Sequence, residues 1–268
     1  MAKRIVTSLI GIAILLAVLL LDNLDVMRIA IGIICLCILY ELYEVFGYIK
    51  NKAIVIIGII STVCTVFANK LDIRYFIPLA LAYVIVLAVL SIVSHKKVTF
   101  TDVTRLFFMT MYVPFFMMTI FFIRNHPHGE FLIWLVFGGA WLTDTFAFFV
   151  GRYLGKTKLC PDISPKKTVE GAIGGMAGTV VLFLLYGFVL NHYFNIGVHF
   201  INLAVLSVLA SAAAQIGDLT ASVIKREMAI KDFGTAMPGH GGFLDRFDSV
   251  LFTAPVIYAL LFYFKIFN

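Results

Sequence analysis

At 268 residues, 62% hydrophobic and only 13% charged, the chain is too apolar for a soluble domain. A mean hydropathy of +1.01 over long apolar runs marks an integral membrane protein. The formal charge of +6 is modest, and no nucleic-acid partner is expected.

Hydrocarbon leaves two architectures, because every backbone polar group must be satisfied within the protein: a helical bundle or a closed barrel. The apolar runs here are about 17–23 residues long, as helices need, whereas barrel strands would be about 10 and alternating. The fold class is therefore all-α, a polytopic bundle. Nine spans are predicted in chain order, at about 5–21, 26–46, 53–69, 75–94, 104–123, 131–150, 169–190, 199–217 and 247–266. The first follows Lys3 and Arg4 like a signal peptide, but Asp22-Asn23 comes after it with no small-residue cleavage site, so a retained helix is expected. Glu41 and Glu44, near the end of the second span, are expected as interfacial carboxylates. Cys35, Cys37, Cys64 and Cys160 match no disulfide or metal spacing and are expected as small apolar side chains. Two regions are distinguished, N-terminal helices over 1–100 and a catalytic region over 101–268. The catalytic region has two longer polar loops, 151–168 and 218–246.

With the N-terminus placed inside, only Arg28, Lys70, Arg74, Arg124 and Lys265 fall outside, and the other sixteen of the 21 cations lie in cytoplasmic segments. Both polar loops are then cytoplasmic.

Those loops concentrate the chemistry. In the sixth span Asp144 lies among Gly139, Ala140, Thr143 and Ala147, so it is expected to face the bundle. The loop after it carries Lys156, Ser164, Lys166 and Lys167 ahead of a glycine-rich helix, a setting suited to phosphate. Asp218 follows Ser211 and Ala214 on one helical face, and small residues admit a neighbouring helix. A carboxylate so placed needs a cation. Asp245 and Asp248, three apart, would share a helical face, and such hard oxygen ligands suit Mg²⁺. Between Asp218 and Asp245 lie Lys225, Arg226, Lys231, Asp232 and the Gly239-His240-Gly241-Gly242 turn, and Arg246 follows Asp245. Glycines there let main-chain N–H groups approach phosphate, and His240 could donate to it or shuttle a proton. The bland alternatives are topogenic lysines, a glycine packing face and an acidic helix start.

At these residues the chain closely resembles the phosphatidate cytidylyltransferases, or CDP-diacylglycerol synthases. The signature S-x-x-K-R-x4-K-D-x-G-x2-hydrophobic-P-x-H-G-G-x2-D-R-x-D is met from Ser222 to Asp248, with Met237 as a mild departure. Asp144 to Lys156 and Ser164 to Gly171 also look like this family, whereas the first hundred residues match only as generic membrane helices. The resemblance implies that CTP and phosphatidic acid give CDP-diacylglycerol and pyrophosphate. It implies Mg²⁺ on Asp218, Asp245 and Asp248, with room for a second, monovalent or divalent cation. It further implies a homodimer in a bacterial inner membrane, in contact with membrane lipid. Two rivals stay open, a CTP-dependent polyprenol kinase and an ion-coupled transporter with Asp144 and Asp218 as ion sites.

Overall fold

A computed structural model describes residues 2–21, 23–70, 73–237 and 241–268. Among these, nine α-helices follow one another: α1 (Ala2–Leu20), α2 (Leu24–Val45), α3 (Lys52–Phe67), α4 (Ile73–Val93), α5 (Phe100–Arg124), α6 (Gly129–Leu154), α7 (Val169–Tyr193), α8 (Phe200–Glu227) and α9 (Leu244–Leu260). Their starts are written in the sequence. Asn23 accepts from the Asp25 and Val26 amides, Asn51 from Ala53 and Ile54, and Thr168 from Gly171.

Among the described residues six helices are long and apolar enough to cross a membrane, counting α3 with the short 3-10 turn that extends it to Lys70. Two shorter apolar stretches, Leu9–Leu20 and Ile77–Val93, accompany them. The architecture is therefore that of an all-α, multi-pass membrane protein. The count of nine crossings is not reached on length and apolarity. Helix α9 in particular has 17 residues and opens on Asp245, Arg246 and Asp248.

Both polar loops are shorter than the composition suggested. Helix α6 runs on to Leu154 and α8 to Glu227, because the helical hydrogen-bond ladder continues wherever one face still packs. Asp218, Ser222, Lys225 and Arg226 thus ride on a helix. Residues 158–168 fold into an antiparallel hairpin, β1 (Lys158–Cys160) and β2 (Ser164–Thr168), with Lys158 opposite Thr168 and Cys160 opposite Ser164. Pro165 is tolerated because a two-stranded ribbon has only edges.

The chain forms two compact units. One comprises residues 16–118 and the other 1–15 with 119–268, so the division falls inside α1 and inside α5. In the first unit α2 packs on α3, where the Tyr43 ring occupies the space a side chain at position 58 would need. Glu41 is buried in the protein, at 3% exposed, whereas Glu44 is exposed.

In the second unit α6 packs against α7, α8 and α9, and α8 packs against α7 and α9. Lipid offers no hydrophobic drive between helices, so close approach and buried hydroxyls must hold them. The α6–α7 seam supplies the first: a methyl at Gly171 would meet the Ala147 carbonyl at 2.7 Å and Gly151 Cα at 3.0 Å. A buried knot supplies the second. The Thr143 hydroxyl lies 2.6 Å from the Gly139 carbonyl, 2.8 Å from the Thr179 hydroxyl and 2.9 Å from the Ser211 hydroxyl, joining α6, α7 and α8.

Candidate functional site

The close α6–α7 approach seats the hairpin against α6 and α7, and Arg226 of α8 reaches it as well. Below it is a cavity of about 420 Å³ in which Asp144, Arg152, Lys158, Lys166, Lys167 and Asp218 meet. The helical period explains the wall from α6: Asp144, Ala147, Phe148, Gly151 and Arg152 are spaced i, i+3, i+4, i+7 and i+8. Gln215 and Asp218 continue the face of α8 that begins at Ser211. Lys167 Nζ lies 2.5 Å from Asp218 Oδ2, with the two side chains 25% and 27% exposed. The ammonium itself is buried, and its contact with Asp218 is an ion pair outside hydrogen-bond geometry. Charge balance, not directional bonding, therefore holds it.

Asp144 accepts a 2.9 Å hydrogen bond from the Ser249 hydroxyl of α9, and the Ser249 amide donates to Asp248 Oδ1 at 2.7 Å. Asp144, Asp218 and Asp248 lie within electrostatic reach of one another. Three carboxylates from three helices thus converge, with Lys167 as the paired cation.

Asp245 stands apart from them. Its Oδ1 accepts from Lys225 Nζ at 2.9 Å, and its Oδ2 accepts from the amides of Phe233 at 2.9 Å and Gly242 at 3.0 Å. Both oxygens are occupied, and the side chain is 5% exposed. The Lys225 ammonium also lies 5.5 Å from the centroid of the Phe233 ring. Asp245 and Asp248 do lie three apart on one helix, as their spacing predicts, but their partners differ: Asp245, in the first turn, is taken up by Lys225 and the loop amides. Gly241, at φ +83°, makes this loop conformation possible, and a side chain there would meet Asp245 and Asp232. The Met237 amide donates to the Gly241 carbonyl at 3.1 Å. The Gly242 amide, expected to face phosphate, is spent on Asp245.

The remaining expected residues divide in the same way. Lys156 and Thr157 donate their amides to Glu170, which ties the hairpin to the start of α7. Ser164 opens β2 opposite Cys160. Lys231, Asp232 and Arg246 are exposed. His240 lies outside the described residues. Arg226 Nε donates to the Ile163 carbonyl at 3.0 Å, which tethers the hairpin turn to the end of α8. Arg226→Ala is accordingly expected to lower kcat/KM about fivefold, near 1 kcal/mol, and to speed proteolysis within 155–168. Lysine lacks the planar fork and should rescue only in part. Unchanged cleavage and turnover would leave the tether without consequence.

Sequence reasoning missed Arg152, Lys158, Gln215 and Ser249 as site residues. Arg152 was legible in the i, i+8 spacing from Asp144. Lys158 and Ser249 were not, since each reaches the site through a contact between distant segments.

A family model described as Cytidylyltransferase family matches residues 2–264. Phosphatidate cytidylyltransferase of Rickettsia bellii is 33% identical over 214 residues, covering 78% of this chain and 91% of its own length. The protein of that name from Staphylococcus haemolyticus is 31% identical across 97% of this chain and 99% of its own. That from Bacillus subtilis is 38% identical over 184 residues, covering 68% of this chain and 67% of its own.

Proposed function

We propose, from the premise that this chain belongs to the cytidylyltransferase family, that it transfers CMP from CTP to phosphatidic acid. The lipid phosphate oxygen bonds to the α-phosphorus of CTP, the bond to the bridging oxygen breaks, and that electron pair leaves with pyrophosphate. The observation that carries this reading is the cavity where Lys166 and Lys167 of the hairpin face Asp144 and Asp218 of the bundle. Both reactants are anions, so neutralising and positioning them is the main catalytic task. Arg152, Lys158 and Lys166 offer cations at the cavity wall. Lys167, fixed by Asp218, sets a positive charge at its floor. Phe148 and Leu159 give the same cavity an apolar side for the lipid.

Carboxylate oxygens are the donor type that a hard divalent cation takes. Asp144, Asp218 and Asp248 repel one another unless a cation shares them. The described residues hold no ready-made group of three or more metal ligands. We assign Mg²⁺ to Asp218, with Asp144 and Asp248 as the carboxylates in electrostatic reach of it, because Asp245 is already engaged; substrate phosphates would complete the ion's shell. Bound there, Mg²⁺ would neutralise CTP phosphate and polarise the α-phosphorus. Asp245 and Lys225 shape the loop that closes beside it.

The same proposal includes nine crossings, a homodimer and a bacterial inner membrane; the cation split supports its placing of the site on the cytoplasmic face. Cysteines placed at 158 and 228, in a chain lacking its four native cysteines, should resist impermeant maleimide added outside intact cells. Labelling from outside would reverse the topology. The reaction is tested by incubating purified protein with CTP, phosphatidic acid and Mg²⁺. CDP-diacylglycerol with pyrophosphate is expected. Phospholipid with CDP would indicate a kinase, and no turnover would favour transport.

A further inference from the structure

A second cavity, of about 610 Å³, lies within the unit of residues 16–118. None of its residues lines the cavity of Asp144 and Asp218. It forms where the α2–α3 and α4–α5 connectors meet, and Lys50, Lys52 and Lys97 line it. Both connectors line this one cavity, and in the nine-crossing topology proposed above they share one membrane face, which the cation split makes cytoplasmic.

Its single lining carboxylate is already used. Asp102 Oδ1 accepts from the Tyr48 hydroxyl at 2.7 Å, and Oδ2 accepts from the Thr99 amide at 2.8 Å and the Thr99 hydroxyl at 2.7 Å. Burial, followed by this bond to Asp102, pushes the Tyr48 phenol up to about 12, so it stays a donor at neutral pH. Among the described residues no ion pair engages the three lysines. Arg105 is held over the Phe46 ring at 5.1 Å, adding a fourth positive charge behind the aromatic wall. Three lysines against one carboxylate leave the cavity lining net positive. Apolar side chains flank the connectors on the same helices: Ile92, Val93 and Phe100 are 73%, 76% and 78% exposed.

We propose that this cavity binds the phosphate headgroup of an anionic glycerophospholipid of the cytoplasmic leaflet, with the acyl chains lying along Ile92, Val93 and Phe100. Basic pockets between membrane helices on the cytoplasmic side recognise such headgroups, because charge and acyl contact act together. A free phosphate would share the first attraction but not the second. The site is independent of the proposed reaction.

The test measures binding of short-chain phosphatidylglycerol to detergent-purified, delipidated full-length protein by native mass spectrometry. Purification removes any effect of membrane orientation. Lys50→Gln/Lys52→Gln/Lys97→Gln is expected to weaken binding on the order of a hundredfold, since each cation contributes roughly fivefold. The matching triple arginine variant should bind like the parent, and phosphatidylcholine should bind weakly to all three. Lys97→Gln alone, expected to lose about fivefold, covers the case in which the triple variant misfolds. Equal binding of phosphatidylglycerol to parent and glutamine variants would overturn the proposal. So would displacement of the lipid by millimolar inorganic phosphate, which would make this a free-phosphate site.

Discussion

Asp218→Asn should lower turnover at least about a hundredfold, equivalent to about 2.7 kcal/mol of barrier, while the protein still inserts and folds. The substitution barely changes volume. It removes the charge that balances the Lys167 ammonium and one of three convergent carboxylates. Those two losses are separable. If Asp218 served only to hold Lys167, Lys167→Met would cost as much, and the double variant no more than either single one. If Asp218 also carries the cation, Asp218→Asn should raise the Mg²⁺ concentration needed for half-maximal rate. Lys167→Met should instead raise KM for CTP. Near-normal activity of Asp218→Asn across a Mg²⁺ titration would remove the metal assignment and leave the ion pair as architecture.

Asp245→Asn is expected to fail for a different reason. An amide can accept from Lys225, or from the Phe233 and Gly242 amides, but its NH₂ must then face donors on the other side. The Lys225 side chain is only 16% exposed, and stripping a buried pair of one partner costs about 3–5 kcal/mol. Loop 228–243 should open. Amide exchange at Phe233 and Gly242 should accelerate, activity should fall, and excess Mg²⁺ should not restore it. Adding Lys225→Met removes the orphaned ammonium and should recover part of the stability but little of the activity. A protected loop together with a shifted Mg²⁺ requirement would return Asp245 to the metal set.

Much was legible in the chain alone. Hydropathy determines a multi-pass helical protein, because no other open structure satisfies its backbone in lipid. Asn23, Asn51 and Thr168 announce helix starts by their side-chain chemistry, and small residues around Asp144 and Asp218 foretell that both face other helices. Local composition misplaces the loops, because hydropathy marks where apolarity ends and not where the helix does. Asp218 to Glu227 stay helical although polar.

Which carboxylates converge was a tertiary matter. Asp245 and Asp248 are equivalent by spacing, yet Asp245 turns to Lys225 and two loop amides while Asp248 lies one turn further along α9, within reach of Asp144 and Asp218. Ser249 reaches Asp144 across 105 positions. Lys167 meets Asp218 because glycine packing at Gly151 and Gly171 lets α6 and α7 approach closely enough to seat the hairpin. Helical period sorts residues onto faces within one segment. Pairing faces from different segments depends on packing and on buried polar groups finding partners, and only the assembled helices supply those.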